Sequence, residues 1–180
     1  MRVDGDLVYL RQLTVADTDE FLALRTRNRA FFEPYEPLAT DQDFTRAAVR
    51  RQLETAMDED RSGVSYSFGI FERDGDAMAG RIRLSNIFRG VWQNANVGYY
   101  VDGERGDRGY GTEALRLVCR FAFTKADLHR VQAGVMTDNE RSIRVLEKAG
   151  FRREGLALRY LRINGEWRDH YLYAITADEV

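Results

Sequence analysis

The sequence predicts an α/β (α+β) protein with a mixed central β-sheet and helices on both faces. Segments rich in β-branched and aromatic residues alternate with amphipathic helical segments. Their order, βααβββαβαββ, combines antiparallel hairpins with a strand–helix–strand unit, which favours a mixed sheet. With 180 residues and 44% hydrophobic content, residues 1–180 are expected to form one domain.

The first half of the chain is predicted to begin with a strand and two helices and to continue into a hairpin. Thr14 or Asp17 is a suitable cap for the first helix, and Asp74-Gly75-Asp76 is a turn signal between the two hairpin strands. The predicted elements are a strand over residues 7–11, helices over 14–29 and 41–60, and strands over 66–71 and 78–84.

Both prolines of the chain lie in an aromatic and acidic segment, Phe31–Pro37. Proline ends the preceding helix and stiffens the backbone that follows. Such a loop could line a substrate entrance, or it could be a rigid connector that packs its own aromatic side chains. The sequence leaves both interpretations open.

The second half is predicted to contain a strand–turn–helix–strand unit, a further helix and a final hairpin through Asn164-Gly165. The predicted elements are a strand over residues 95–101, a helix after the turn, a strand over 131–136, a helix over 139–149, and strands over 151–163 and 167–175.

The turn in this half is glycine-rich and runs directly into a helix. Gly106, Gly109 and Gly111 let the backbone curl, and the helix start presents unpaired N–H groups and the positive end of its dipole. This predicts a site for a pyrophosphate-bearing cofactor. The spacing G-x-x-G-x-G fits neither the dinucleotide fingerprint nor the P-loop, so an ordinary glycine-rich connection is the alternative.

Composition argues against several other classes of function. The formal charge of −2 disfavours direct nucleic-acid binding. No apolar run is long enough to cross a membrane and the chain begins no signal peptide, so a cytoplasmic protein is expected. The single cysteine, Cys119, falls on an apolar helix face and is predicted to be a buried thiol. His129 and His170 are too widely spaced to indicate a metal motif, and no metal is expected.

Several motifs resemble GNAT acetyltransferases, and in particular the RimJ branch of the RimJ/RimL group, which acetylates the N-terminal amines of ribosomal proteins. The resemblance covers nearly the whole chain. Its most specific part is Asn-x-x-Ser followed by Leu-Glu-Lys-x-Gly-Phe. The segments that carry it are residues 108–115, 138–151, 28–37, 85–90 and 160–170.

The resemblance implies a sheet splayed in the middle, acetyl-CoA as donor, and direct attack of an amine on the thioester without an acyl-enzyme. The pantetheine arm would lie between the strands near residues 97–101 and 131–135. Arg105 or Arg108 would add a charged contact to the pyrophosphate. The cofactor residues implied are Tyr99, Val101, Arg105, Gly106, Arg108, Gly109, Tyr110, Gly111, Thr112, Asn139 and Ser142.

One position departs from the family pattern. Gln or Arg usually stands three residues before the first of the paired glycines, and here that residue is Gly106. Either Arg105 substitutes for the missing side chain, or Gly106 contributes only its amide. Cofactor binding is still expected.

Two residues of the second motif have structural as well as functional interpretations. Thr137 and Glu140 are spaced as a capping box, and Asn139 is itself a good N-cap. The family positions instead imply that Asn139 contacts pantetheine and that Ser142 protonates the departing thiolate, directly or through water.

The general base is the least defined part of the prediction. The region where many relatives carry a glutamate, residues 93–96, contains no acid, and another position used in the RimL branch is Leu161. The candidates are therefore side chains nearby or an ordered water. They are Glu33, Glu36, Asp169, His170, Tyr160, and a water held by Asn96 or Ser85.

The acceptor expected from the resemblance is the N-terminal α-amine of a protein, plausibly a ribosomal protein. Two alternatives stay open, namely a small amine such as an antibiotic or aminoacyl nucleotide, and a non-catalytic acetyl-CoA-binding module. A homodimer is a further expectation.

Overall fold

Eight strands form one sheet in the computed structural model, which describes residues 1–180. The strands are β1 (Arg2–Asp4), β2 (Val8–Gln12), β3 (Tyr66–Glu72), β4 (Met78–Phe88), β5 (Asn94–Val101), β6 (Arg130–Met136), β7 (Arg152–Ile163) and β8 (Glu166–Thr176). Their order across the sheet is β1-β2-β3-β4-β5-β6-β8-β7. All neighbours are antiparallel except β5 and β6, so the sheet is mixed, as predicted.

Five α-helices accompany the sheet, and none is long and apolar enough to cross a membrane. They are α1 (Thr18–Arg27), α2 (Arg29–Phe32), α3 (Arg46–Ser62), α4 (Tyr110–Thr124) and α5 (Glu140–Lys148). The predicted starts of α1 and α3 were too early, because a 3₁₀ turn precedes each helix, at Val15–Asp17 and Asp41–Phe44. Strand β1 was missed because it is short, polar and mostly exposed.

The helices cover both faces of the sheet, as predicted. Alternate residues of a strand point to opposite faces, and β2 shows this directly. Val8 and Leu10 belong to the larger buried cluster, which includes the apolar face of α4 and Cys119. Tyr9 belongs to a second buried cluster, which includes side chains of α1 and α3 such as Phe21 and Leu53.

The sheet opens between its two parallel strands. Pairing of β5 with β6 is limited to Asn94↔Arg130, Ala95↔Val131 and Asn96↔Gln132. Strand β5 then continues to Val101 and β6 to Met136 with no pairing between them. The splayed sheet expected from the resemblance is therefore confirmed, and it leaves two inner strand edges with unpaired backbone groups.

The final hairpin, β7–β8, forms one edge of the sheet. Its turn residues Asn164 and Gly165 have φ values of 44° and 84°, as a tight hairpin turn of mirror-image type requires. The backbone N–H of Asn164 donates to the carbonyl oxygen of Glu36 at 2.9 Å. This bond connects the hairpin to the aromatic and acidic segment over residues 31–37. The sequence predicted a loop here, but the segment begins with the end of α2 and continues as a 3₁₀ turn over Glu33–Tyr35, because its one-turn helices are too short to show a periodic pattern; it is called the aromatic loop below.

Candidate active site

The glycine turn before α4 presents a run of free backbone donors. The N–H groups of residues 107–112 make no hydrogen bond within the protein. Gly109, the N-cap of α4, has φ 84°, a left-handed conformation that favours glycine. The turn therefore directs several amides and the positive end of the α4 dipole at one place, which suits a phosphate group.

The acidic residue in the first turn of α4 does not compete for these donors. The Glu113 carboxylate accepts the backbone N–H groups of Asp6, Leu7 and Val8 at 2.8, 2.8 and 2.7 Å. It thereby joins the β1–β2 connection to α4. Because Glu113 is engaged there, the start of α4 remains available to an external anion.

A cavity of about 380 Å³ lies over this turn. Phe31, Phe32, Tyr35 and Glu36 form part of its wall, so the aromatic loop lines the site; Phe32 also packs on Tyr100, with ring centroids 4.6 Å apart. All but one of the sequence-predicted cofactor residues line the cavity, and Arg108 does not. Those that do are Tyr99, Val101, Arg105, Gly106, Gly109, Tyr110, Gly111, Thr112, Asn139 and Ser142.

Basic side chains of α5 face the same cavity, namely Arg141, Arg144 and Lys148. Their spacing places them along one side of the helix. The two arginines that the sequence favoured are engaged elsewhere. Arg105 contacts Asp102 at 2.7 Å and Glu72 at 3.1 Å, and Arg108 lies 3.6 Å from Glu72.

Asn139 and Ser142 lie together at the start of α5. The helix begins at Glu140 with Asn139 as its N-cap, so the Thr137–Glu140 capping box does not form. The Asn139 Oδ1 accepts the Ser142 N–H at 3.1 Å, which leaves the Asn139 amide nitrogen without a protein partner. The capping interpretation of Asn139 is therefore confirmed and stays compatible with a ligand contact.

Ser142 also contacts the free edge of β5. Its hydroxyl oxygen lies 2.9 Å from the Tyr99 hydroxyl oxygen, within hydrogen-bond distance. Burial raises the pKa of Tyr99 to about 12, so this phenol remains protonated at neutral pH. Tyr99 and Ser142 thus form a neutral hydroxyl pair across the opened part of the sheet.

A second cavity, of about 340 Å³, lies where β5 and β6 separate. Small residues of both strands line it, including Gly98, Ala133 and Gly134. It shares wall residues with the first cavity, among them Glu36 and Ser142. The two cavities therefore meet at the hydroxyl pair, one on the side of the glycine turn and the other on the side of the final hairpin.

Two side chains that can take up a proton face the second cavity. His170 is 3% exposed, and its Nδ1 lies 2.9 Å from the carbonyl oxygen of Arg168. A carbonyl can only accept, so Nδ1 carries the proton and a neutral ring keeps a lone pair on Nε2, which has no protein partner. Glu36 is half-buried; burial raises its pKa, and the charges of Arg25 and Arg81 oppose that rise.

Of the other catalytic candidates from the sequence, Ser85 lines the second cavity, whereas Tyr160, Asp169, Asn96 and Glu33 line neither. Tyr160 packs edge-on against His170, with centroids 5.8 Å apart. Asp169 accepts the N–H of Arg159 at 2.7 Å, where the backbone of β7 has a positive φ. Asn96 accepts a hydrogen bond from Gln132 at 2.7 Å, at the last pair before the strands separate. Glu33 is exposed.

Arg81 and Tyr100 are two residues of the site that sequence reasoning missed. Both line the second cavity. Burial raises the pKa of Tyr100 to about 12, and its buried hydroxyl has no hydrogen-bond partner. Arg81 donates from Nε to Ser67 at 3.1 Å. An arginine or tyrosine on a strand carries no local signal, because the pairing of β4 with β5 decides what it faces.

An opened mixed sheet beside a helix start with free backbone donors is typical of an acyltransferase that uses a nucleotide-linked thioester. The sequence pattern of the acetyltransferase (GNAT) domain matches residues 8–152. The chain therefore belongs to the GNAT acetyltransferase family and is an N-acetyltransferase by class.

Known relatives span nearly the whole chain. It is 41% identical over 171 residues to the probable N-acetyltransferase YjcK of Bacillus subtilis (strain 168), and the matched region covers 95% of this chain and 94% of the relative. It is 29% identical over 179 residues to the ribosomal protein uS5-alanine N-acetyltransferase of Escherichia coli (strain K12), covering 99% and 92%. The structure of Mycobacterium smegmatis RimJ in complex with CoA-disulfide superposes with a TM-score of 0.94 at 33% identity, covering 100% and 89%. The resemblance to the RimJ/RimL group is confirmed.

Proposed function

We propose that this chain transfers the acetyl group of acetyl-CoA to the N-terminal α-amine of a protein, of the ribosomal-protein type, in the cytoplasm. The observation that supports acetyl-CoA as the donor is the run of free amides over residues 107–112, beside a cavity that continues into the opened sheet. The acceptor rests on the relatives, since one named for alanine acetylation of ribosomal protein uS5 matches 99% of this chain.

The residues around the first cavity fit the parts of acetyl-CoA. The amides of the turn and the start of α4 would bind the pyrophosphate. Arg144 and Lys148, at the outer part of α5, would meet the remaining phosphate charge. The unpaired edge of β5 near Tyr99 and Val101, together with the free amide nitrogen of Asn139, would hold the amide-containing pantetheine arm.

The second cavity fits the end of an extended peptide. Its small residues leave room for a small first side chain beside the opened strands. The Glu36 carboxylate would attract an incoming ammonium group, and Arg81 would meet a carbonyl oxygen of the peptide. A volume of about 340 Å³ accommodates one or two residues rather than a folded chain.

The protein residues would move two protons. Acetyl-CoA supplies an activated acetyl thioester. His170, with its lone pair on Nε2, would accept a proton from the ammonium, and the free amine would attack the thioester carbonyl carbon and form the C–N bond. The C–S bond to CoA would then break, and the nitrogen would release its second proton to solvent. The Ser142 hydroxyl would give a proton to the departing thiolate and regain one from solvent, while Tyr99 fixes the orientation of the serine at 2.9 Å.

The acceptor is tested by release of free CoA thiol from acetyl-CoA. We expect turnover with peptides that begin with alanine or serine and none with the same peptides already acetylated at the N-terminus. Turnover confined to small amines such as spermidine would contradict the peptide assignment. Tight binding of acetyl-CoA with no turnover on any amine would indicate a non-catalytic binding module.

The proton transfers are tested by substitution. Ser142→Ala should lower kcat with little change in the Kd for acetyl-CoA, and His170→Gln should lower kcat by about 10²-fold or more. Ser62→Ala is the matched control, because this serine is exposed on α3 and bonds only to its own helix. An unchanged kcat in either site variant would remove that residue from the proposed chemistry.

A further inference from the structure

The backbone at Gly106 does not require glycine. Its φ and ψ values are −64° and 162°, which any residue adopts. A side chain at position 106 is excluded instead because Arg141 occupies the space that it would need. A Cβ atom on Gly106 would lie 1.7 Å from Nη2 and 2.8 Å from Cζ of Arg141. The guanidinium of Arg141 therefore occupies the space where a side chain of residue 106 would begin.

Arg141 has few partners of its own. Its guanidinium makes no hydrogen bond within the protein, and the one carboxylate within 4 Å is Asp107, 3.7 Å away and 93% exposed. The ring of Phe31 lies on another side, with its centroid 5.6 Å from Cζ. The side chain is 40% exposed and lines the first cavity. A guanidinium with this much unused donor capacity, beside the free amides of the turn, is suited to an anion.

The position of Arg141 along α5 supports the same conclusion. It is the second residue of the helix, where the positive end of the helix dipole disfavours a cation. Arg105, the alternative considered from sequence, is held by Asp102 and Glu72. An anion in the first cavity would offset the unfavourable interaction between the Arg141 charge and the α5 dipole. Arg105 needs no such anion, because Asp102 and Glu72 already neutralise its charge.

We propose that Arg141 binds the pyrophosphate of acetyl-CoA, in place of the side chain that residue 106 lacks. Arg108 of the turn does not line the first cavity, so Arg141 of α5 supplies a positive charge there from outside the turn. Gly106 and Arg141 then form one functional pair, because the glycine leaves room for the guanidinium and the guanidinium replaces the side chain that the glycine lacks. The inference rests on the proposed binding of acetyl-CoA.

The experiment is a two-residue exchange, with the Kd for CoA measured by titration calorimetry. Arg141→Ala should raise Kd about tenfold, the loss of one charge-assisted contact. Gly106→Arg alone should also weaken binding, because two guanidinium groups would compete for one space. The double variant Gly106→Arg/Arg141→Ala should recover most of the lost affinity. Arg50→Ala, an exposed arginine on α3, is the matched control and should bind CoA like the wild type.

The outcomes separate this inference from the proposed function. Binding by the wild type with no loss in Arg141→Ala would overturn the role of Arg141 and leave the proposed function intact. Loss in Arg141→Ala without recovery in the double variant would mean that Arg141 only supports the fold of the turn, which also overturns it. A wild type that does not bind CoA would overturn both. The tip of a flexible arginine can move aside, so the Gly106 variants should fold.

Discussion

Asp102 connects the segment before the glycine turn to the end of α1, and its removal should destabilise the protein strongly. Its side chain is fully buried. It accepts hydrogen bonds from Arg27 at 2.6 and 3.0 Å, from Arg105 at 2.7 Å and from Asn28 at 3.0 Å. Burial acts to raise the pKa of Asp102, but the bonds from Arg27 and Asn28 outweigh it, so the pKa lies below its ordinary value.

The cost of Asp102→Ala can be estimated from these contacts. Breaking a fully buried ion pair costs about 3–5 kcal/mol, because the remaining charge is left without a partner. The side chains of Arg27 and Arg105 are 37% and 24% exposed, so water can partly solvate them after the change. We therefore expect a loss of about 2–4 kcal/mol in the free energy of unfolding. For a chain of this size the melting temperature should fall by roughly 5–15 °C.

Thermal and urea denaturation of the variant measure this loss. Asp41→Ala is the matched control, because Asp41 contacts Arg29 at the same 2.7 Å but is 92% exposed, and its removal should leave the midpoint unchanged. Since the folded pKa of Asp102 is lowered, its contribution is present above the ordinary aspartate range and is lost as pH falls through the folded pKa. The gap between wild type and Asp102→Ala should therefore close in acid. Equal melting of the Asp102 and Asp41 variants at neutral pH would refute the reasoning.

Two further predictions concern groups that line neither cavity, the partly buried Asp60 and the buried Cys119. Burial raises the pKa of Asp60 to about 6, so the folded state loses stability as the pH rises from about 4 to 6. The Asp60→Asn variant should therefore melt a few degrees above wild type at pH 7.5 and at the same temperature as wild type at pH 4. A difference in melting temperature that does not change with pH would contradict an origin in the ionisation of Asp60. Burial raises the pKa of Cys119 to about 12, so a thiol reagent should label it only on unfolding; rapid labelling of the native protein would show that the helix face is open.

Much of the fold could be predicted from the sequence, because the strongest signals were local. The hairpin turns at Asp74-Gly75-Asp76 and Asn164-Gly165 and the glycine turn before α4 depend on residues adjacent in the chain. The starts of α1 and α3 were misplaced because a threonine, Thr14 or Thr40, caps a 3₁₀ turn with the same residue types that cap an α-helix.

The parts of the site formed by backbone amides could be predicted from the sequence. The parts formed by side chains from elements far apart in the chain were harder to predict. Free amides at a glycine turn follow from the local sequence. The position of the Arg141 guanidinium beside Gly106 does not follow from the local sequence, because it depends on how α5 packs against the turn. The sequence still held a signal, since an arginine at the second position of a helix is unfavourable unless an anion is near.

The two halves of the site differ in how firmly the fold holds them, and this explains why the resemblance identifies the donor better than the acceptor. The donor half is fixed by buried or multiply bonded carboxylates, as Glu113 takes three backbone donors and Asp102 binds two arginines. The proposed acceptor cavity is lined mainly by β4, β5 and β6, together with Tyr35 and Glu36 of the loop and His170 of the edge hairpin. The loop and the hairpin share one backbone bond, from Asn164 to Glu36. A substitution at His170, which lines only the second cavity, would change the proposed acceptor cavity without touching the turn. Relatives of this fold can therefore keep one donor and differ in the amine that they acetylate.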